Sequence, residues 1–165
     1  MTPPPGSYAV VKTGGAVARL IRLATRGTVN HALVYTGGHT VEMNPGGAAY
    51  GTVAEYLDEA WYRPPMTDDQ LVVFRQAADE LVALRVGYSF VDIAAQFAYR
   101  VLRVKPARLA RFIESPHRMV CSQSVDWLYA QAGVHLFDDG RLPGLVSPED
   151  LRALGEAHPL WRVQG

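Results

Sequence analysis

The sequence predicts a single domain of mixed α and β structure, with short strands in its first third and helices dominating the remainder. Three observations carry this expectation. The 165 residues are enough to enclose one hydrophobic core without disulfides or a structural metal. Two apolar runs, His31 to Tyr35 and Thr40 to Met43, flank Gly37 and Gly38, the composition of a hairpin turn. Beyond Thr67, apolar residues recur at helical spacing between start and stop signals.

The elements follow in order. Tyr8 to Lys12 is a short apolar strand, broken by Gly14 and Gly15 before Val17, Leu20, Ile21 and Ala24 recur on one face of a short helix closed by Gly27. The hairpin comes next, and Asn44, Pro45, Gly46 and Gly47 end its second strand. Thr52 to Ala60 reads as a short helix. Arg63, Pro64 and Pro65 interrupt the chain, and Thr67, Asp68 and Asp69 then start a helix of about five turns that runs to Arg85. Gly87 and Tyr88 punctuate the chain before a largely apolar helix from Val91 to Val104, stopped ahead of Pro106. After Ser115 and Pro116 a brief segment leads into Met119 and Val120, and the last strongly patterned helix follows. No repeat, flexible linker or low-complexity tract divides the chain, so residues 1–165 read as one domain.

Composition excludes several classes. Sixteen basic residues balance sixteen acidic ones, so nothing global argues for a nucleic-acid partner. The single cysteine cannot form an internal disulfide or a CxxC metal pair. The opening MTPPPGSYAVV lacks the basic start and apolar run of a signal peptide, and no segment approaches the length of a membrane span. The expected location is therefore cytoplasmic by default.

The one cysteine stands in "HRMVCSQSVDWLYAQAG", where an apolar step ends and a helical pattern begins. Val125, Leu128, Tyr129 and Ala132 fall at i, i+3, i+4 and i+7, a stripe that faces a core, and Gly133 ends the helix. Cys121 then occupies the first turn, where unpaired N–H groups and the helix dipole favour an anion such as a thiolate. Nucleophilic cysteines are tuned in this way, but a lone buried cysteine is also an ordinary small core residue. The distinction turns on a base. His39, His117, His135 and His158 lie in turns or beside breakers, whereas His31 opens an apolar strand. A two-residue turn at Gly37 and Gly38 pairs Leu33 with Glu42 and His31 with Asn44, which places Glu42 and Asn44 on the face of His31. A three-residue loop would turn them away.

These residues resemble the circularly permuted NlpC-like, papain-fold cysteine hydrolases, in particular their YiiX-like branch. Papain runs Cys before His, whereas the permuted members present His first on a strand, a polar residue on the next strand and Cys late at a helix start. "NHALVYTGGHTVEMNPGG" is similar to the family's His strand, glycine turn and V-x-E strand, and "VCSQSVDWLYAQAGV" to its Cys-Ser helix. "GSYAVVKTGG", "RLIRLATRGTVNHA", "RVGYSFVDI" and "LVSPEDL" resemble lesser elements in the same order. Gly6-Ser7 stands where the family often has Gly-Asp, and Cys121-Ser122-Gln123 where it often has Cys-Ser-Glu. The turn between His31 and Glu42 is one residue shorter than the common form, which keeps Asn44 in play as third residue.

The resemblance implies an α+β, permuted papain-like fold, with a small antiparallel sheet packed against helices and the nucleophile at a helix N-terminus. It also implies acyl transfer: an amidase or peptidase in which Cys121 is activated by His31 and oriented by Glu42, with no cofactor and no metal. The Cys121 N–H would face the developing oxyanion. Gln123, Ser122 or a group at Tyr8 would supply further oxyanion or substrate contacts. The expected partner is a peptide or acyl-containing substrate.

Relatives of the fold also include lipid acyl hydrolases and acyltransferases, and the scaffold does not choose between them. Arg100, Arg103, Lys105, Arg108, Arg111 and Arg118 cluster around the apolar residues of the 97–113 stretch, a pattern that can mark membrane contact but is read in preference as solvated arginines beside a packed helix. Three alternatives stand beside the cysteine hydrolase. One is a nonenzymatic papain-like binding module, one a metalloenzyme using His31, His39 and Glu42, and one a serine hydrolase through Ser122 or Ser124, which lacks a G-x-S-x-G elbow.

Overall fold

The computed structural model describes residues 1–89, 118–141 and 145–164. The Val91–Val104 helix expected from the sequence and the basic 97–113 stretch lie outside these residues.

Five strands form one antiparallel sheet: β1 (Ser7–Val11), β2 (His31–Tyr35), β3 (Thr40–Asn44), β4 (Gly47–Gly51) and β5 (Trp61–Tyr62), in the spatial order β4-β3-β2-β1-β5. Helix α1 (Ala16–Thr25) connects β1 to β2. Helix α2 (Asp68–Ala83) opens with a capping box between Thr67 and Gln70. The short strands β6 (Gly87–Tyr88) and β7 (Arg118–Met119) pair in parallel, and β7 feeds directly into α3 (Cys121–Gln131). Helix α4 (Pro148–Ala157) starts with a second capping box, Ser147 with Asp150, and has Pro148 in its first turn.

The β2–β3 turn has the two-residue form expected from the glycine pair. Leu33 pairs with Glu42 and Tyr35 with Thr40, and the Thr36 N–H donates to the His39 carbonyl at 3.1 Å. Gly37 takes φ +113°, a conformation that costs a residue with a Cβ.

One strand is added and one expectation changes. Asn44 to Gly47 end β3 as expected and turn the chain into β4, which the sequence reading lacked and whose Gly51 pairs with Thr40 and Ala49 with Glu42. The Gly-Ala-Ala-Tyr-Gly segment has weak strand propensity and is recruited because β3 has an open edge to pair. The helix expected over Thr52–Ala60 is only a 3-10 turn, Val53–Tyr56, after which the chain returns to pair Trp61 and Tyr62 with Ala9 and Tyr8.

Alternation along the strands divides the interior in two. Tyr8, Val10, Ala32, Val34, Val41 and Met43 face the helices and pack with Phe74 and Leu81 of α2, Val125, Leu128 and Tyr129 of α3, and Leu151 of α4. Ala9, Val11, Leu33, Tyr35 and Trp61 form a smaller cluster on the opposite face, covered by Val53, Tyr56 and Val163. The apolar stripe on the cysteine helix is thus the contact that fixes α3 against the sheet.

Candidate active site

His31 begins β2, on the strand face that carries Leu33 and Tyr35. Glu42 lies on the adjacent strand on the same face, as the hairpin register requires. His31 Nε2 is 3.5 Å from Glu42 Oε2, within ion-pair range, and makes no tighter hydrogen bond. Both side chains are buried.

The carboxylate has two further donors. Thr40 Oγ1 donates to Glu42 Oε1 at 2.9 Å, and the Tyr56 hydroxyl donates to Oε2 at 3.0 Å. Gly51, cross-strand from Thr40, leaves the space in which this group sits: a Cβ there would overlap Glu42 Oε1. Burial opposes ionisation of Glu42, but the facing His31 imidazole and the hydrogen bonds from Thr40 and Tyr56 outweigh it and hold the carboxyl below its ordinary range.

Cys121 is the first residue of α3, brought under the start of β2 by β7 and by the packing of Val125, Leu128 and Tyr129. Its Sγ lies 3.9 Å from the Asn30 carbonyl oxygen, immediately before His31. Val120 contributes no side-chain cap, so the first-turn N–H groups around Cys121 are not closed off by one. Burial lowers the basicity of His31, but hydrogen bonding to Cys121 and to Glu42, and their charges, raise the imidazole to about 9.

Asn30 is fixed independently. Its Oδ1 accepts from the Thr13 N–H at 3.0 Å and from Arg22 at 2.6 Å, and its Nδ2 donates to Thr13 Oγ1 at 2.7 Å. This network anchors the chain just ahead of the histidine. His31 and Glu42 open on a cleft of about 260 Å³ whose walls include Ile21, Asn30, Asn44, Tyr56 and Tyr88. Burial raises the Tyr88 phenol well above its ordinary value, and the charge of nearby Cys121 adds to this.

Other residues singled out in the sequence fall elsewhere. Asn44 is exposed on the cleft rim and pairs with Gly47, while Glu42 faces the imidazole. Tyr8 points to the helix side of the sheet, its hydroxyl donates to the Leu151 carbonyl, and its strand is paired on both sides. The Ser122 hydroxyl donates to the Val146 carbonyl at 2.7 Å within the core. Ser124 bonds back to the Cys121 carbonyl. Gln123 is buried in the first turn of α3, and its Oε1 has no hydrogen-bond partner among the described residues.

His39 does not join His31 and Glu42. Its Nε2 faces Asp79 at 3.7 Å and its ring packs 4.0 Å from that of Tyr50, in a separate surface depression. Among the described residues no three His, Cys, Asp or Glu side chains converge to hold a metal ion. None of the described helices is long and apolar enough to cross a membrane. Tyr56 was not legible as a site residue, since its relation to Glu42 depends on how the β4–β5 connection folds back.

No protein-family model and no curated protein matches the sequence. Among solved structures, the chain is similar to the metalloprotein YiiX from Escherichia coli O157:H7, with a TM-score of 0.59 and 18% identity over 98% of this chain and 88% of that one. A likeness of this extent at such low identity is one of fold, and the chain has a YiiX-like α+β architecture built on a five-stranded antiparallel sheet.

Proposed function

We propose that the protein is a cysteine-dependent acyl-transfer hydrolase of the permuted papain-like type, acting as an amidase or peptidase. The observation that carries this reading is that the buried His31 imidazole lies 3.5 Å from the Glu42 carboxylate, while Cys121 starts α3 with its Sγ 3.9 Å from the carbonyl of Asn30, the residue before His31. With Nε2 turned to Glu42, Nδ1 is the nitrogen left to take the Cys121 proton. The resulting thiolate attacks the substrate carbonyl, the imidazolium returns its proton to the leaving amine, and water resolves the acyl-enzyme. The Cys121 backbone N–H, with Gln123 as the side-chain candidate, stabilises the oxyanion. The substrate class is a peptide or acyl amide such as a cell-wall peptide; a lipid acyl group is the alternative substrate of the same chemistry.

The test is the pH dependence of iodoacetamide alkylation at Cys121, read by mass spectrometry in the wild type, His31→Ala and Glu42→Gln. Rapid modification with an apparent pKa well below the free-thiol value of about 8.5, lost in His31→Ala, supports the hydrolase. A slow thiol indifferent to His31 rejects it.

A nonenzymatic papain-like binding module is the second reading, favoured by one observation: Cys121 is only 2% exposed, as a structural cysteine would be. It predicts the slow outcome. YiiX is described as a metalloprotein; metal analysis of the purified chain, repeated on His31→Ala, tests whether any such property extends here.

A further inference from the structure

We infer that Tyr56 is a positioning residue for this site, holding the Glu42 carboxylate in the orientation that meets His31; the inference rests on the acyl-transfer reading above. Glu42 ends in a torsion that is broad and roughly two-fold, so its two oxygens are not fixed by the side chain's own rotamer preference. Each must be fixed by a donor. Thr40, two residues earlier on the same strand, takes Oε1 at 2.9 Å. That contact alone leaves the carboxylate free to swing about the held oxygen. Tyr56 takes Oε2 at 3.0 Å, the same oxygen that lies 3.5 Å from His31 Nε2. The hydroxyl is thus the second point that defines the carboxylate plane and aims Oε2 at the ring.

Tyr56 is itself anchored. It ends the 3-10 turn Val53–Tyr56, and its carbonyl accepts from Trp61 Nε1 at 2.8 Å. Trp61 is held by pairing with Ala9 and by an edge contact of its ring with Tyr35, 6.3 Å between centroids. The chain from sheet to indole to phenol to carboxylate to imidazole is continuous. Tyr56 also forms part of the cleft wall, together with His31 and Glu42. Its ring packs against the smaller sheet-face cluster, which makes Tyr56→Phe a change that removes the hydroxyl and keeps the packing.

The experiment measures Cys121 alkylation by iodoacetamide as a function of pH in wild type, Tyr56→Phe, Glu42→Gln and the double variant, with urea unfolding of each as a check on folding. In Tyr56→Phe the rate at pH 7 is expected to fall roughly tenfold, the size of one hydrogen bond to a charged group. The acid limb of the profile moves to higher pH, because Glu42 has lost a donor that favours its ionised form. In the Glu42→Gln background, Tyr56→Phe produces little further loss. Fully additive losses, or an unchanged acid limb in Tyr56→Phe, overturn the positioning role. A wild-type thiol that is already slow and indifferent to His31 instead rejects the hydrolase reading on which the role depends, so the two failures are separable. If Tyr56→Phe unfolds, Tyr56→His, which can return a donor, restores the profile in part where position is the function; failure of that rescue in a folded protein counts against it.

Discussion

Replacing Glu42 by Gln removes the negative charge beside His31 while keeping the shape and an acceptor oxygen. Unit charges 3.5 Å apart attract by roughly 5 kcal/mol at an effective dielectric of about 20. At about 1.4 kcal/mol per pKa unit this is an upper bound of some 3.5 units, and Thr40 and Tyr56 already share the carboxylate's charge. A fall of about two units is therefore expected, from about 9 in the wild type towards the ordinary imidazole value. The assay is an NMR titration of the His31 ring in protein carrying labelled histidine, assigned with His31→Ala. Stability gives an independent reading of the same group. Because the folded-state value is raised, the His31 contribution is fully present below the unfolded imidazole value of 6.5 and is lost as pH climbs through about 9. In Glu42→Gln this loss should set in at lower pH. A ring midpoint within about half a unit of wild type would refute the claim that the carboxylate controls the imidazole.

Other outcomes test the framework around the site. Gly51→Ala places a methyl against Glu42 Oε1 and should cost about 1–3 kcal/mol in urea unfolding while disturbing the His31 titration; an unperturbed ring would mean that the pocket has slack. Ser147→Ala removes the hydroxyl that caps α4 and should lower stability by about 1 kcal/mol, measured in the same way. Phe74→Ala, at a fully buried position packed on Tyr129, should cost about 3–5 kcal/mol, and a smaller loss would show that the helix-side core relaxes around the gap. Asp126 is pushed up to about 6 by burial, against the pull of Arg141 and His135, so its ionisation opposes folding as pH rises from the ordinary carboxyl range through about 6. Asp126→Asn should therefore raise the melting temperature at pH 7 more than at pH 4.

Features governed by neighbours along the chain were legible in the sequence. The Gly37–Gly38 pair selects the two-residue turn, and the turn selects the register that places Glu42 on the face of His31. The stripe Val125, Leu128, Tyr129 and Ala132 specifies which side of α3 is buried and so puts Cys121 at the helix start against the sheet. The Thr67 start of α2 follows from local capping chemistry in the same way.

What required the tertiary structure was everything settled by an unpaired edge or a contact across the fold. The Gly47–Gly51 segment is a strand because β3 offers it partners, not because of its own propensity, and its Gly51 makes room for the Glu42 carboxylate. Tyr8 and Ser122 are assigned to the core by alternation and by helix packing, with hydrogen bonds to Leu151 and Val146 that no local pattern encodes. Tyr56 reaches Glu42 only because the β4–β5 connection folds back onto the sheet and Trp61 pins it there. The sequence by itself determined the hairpin and the cysteine-bearing helix and tied the face of Glu42 to the length of the turn, since turn chemistry and hydrophobic period act over a few residues. Only the tertiary structure decided which polar groups converge on the carboxylate, since such contacts join residues far apart in the chain and arise from the packing of the whole domain.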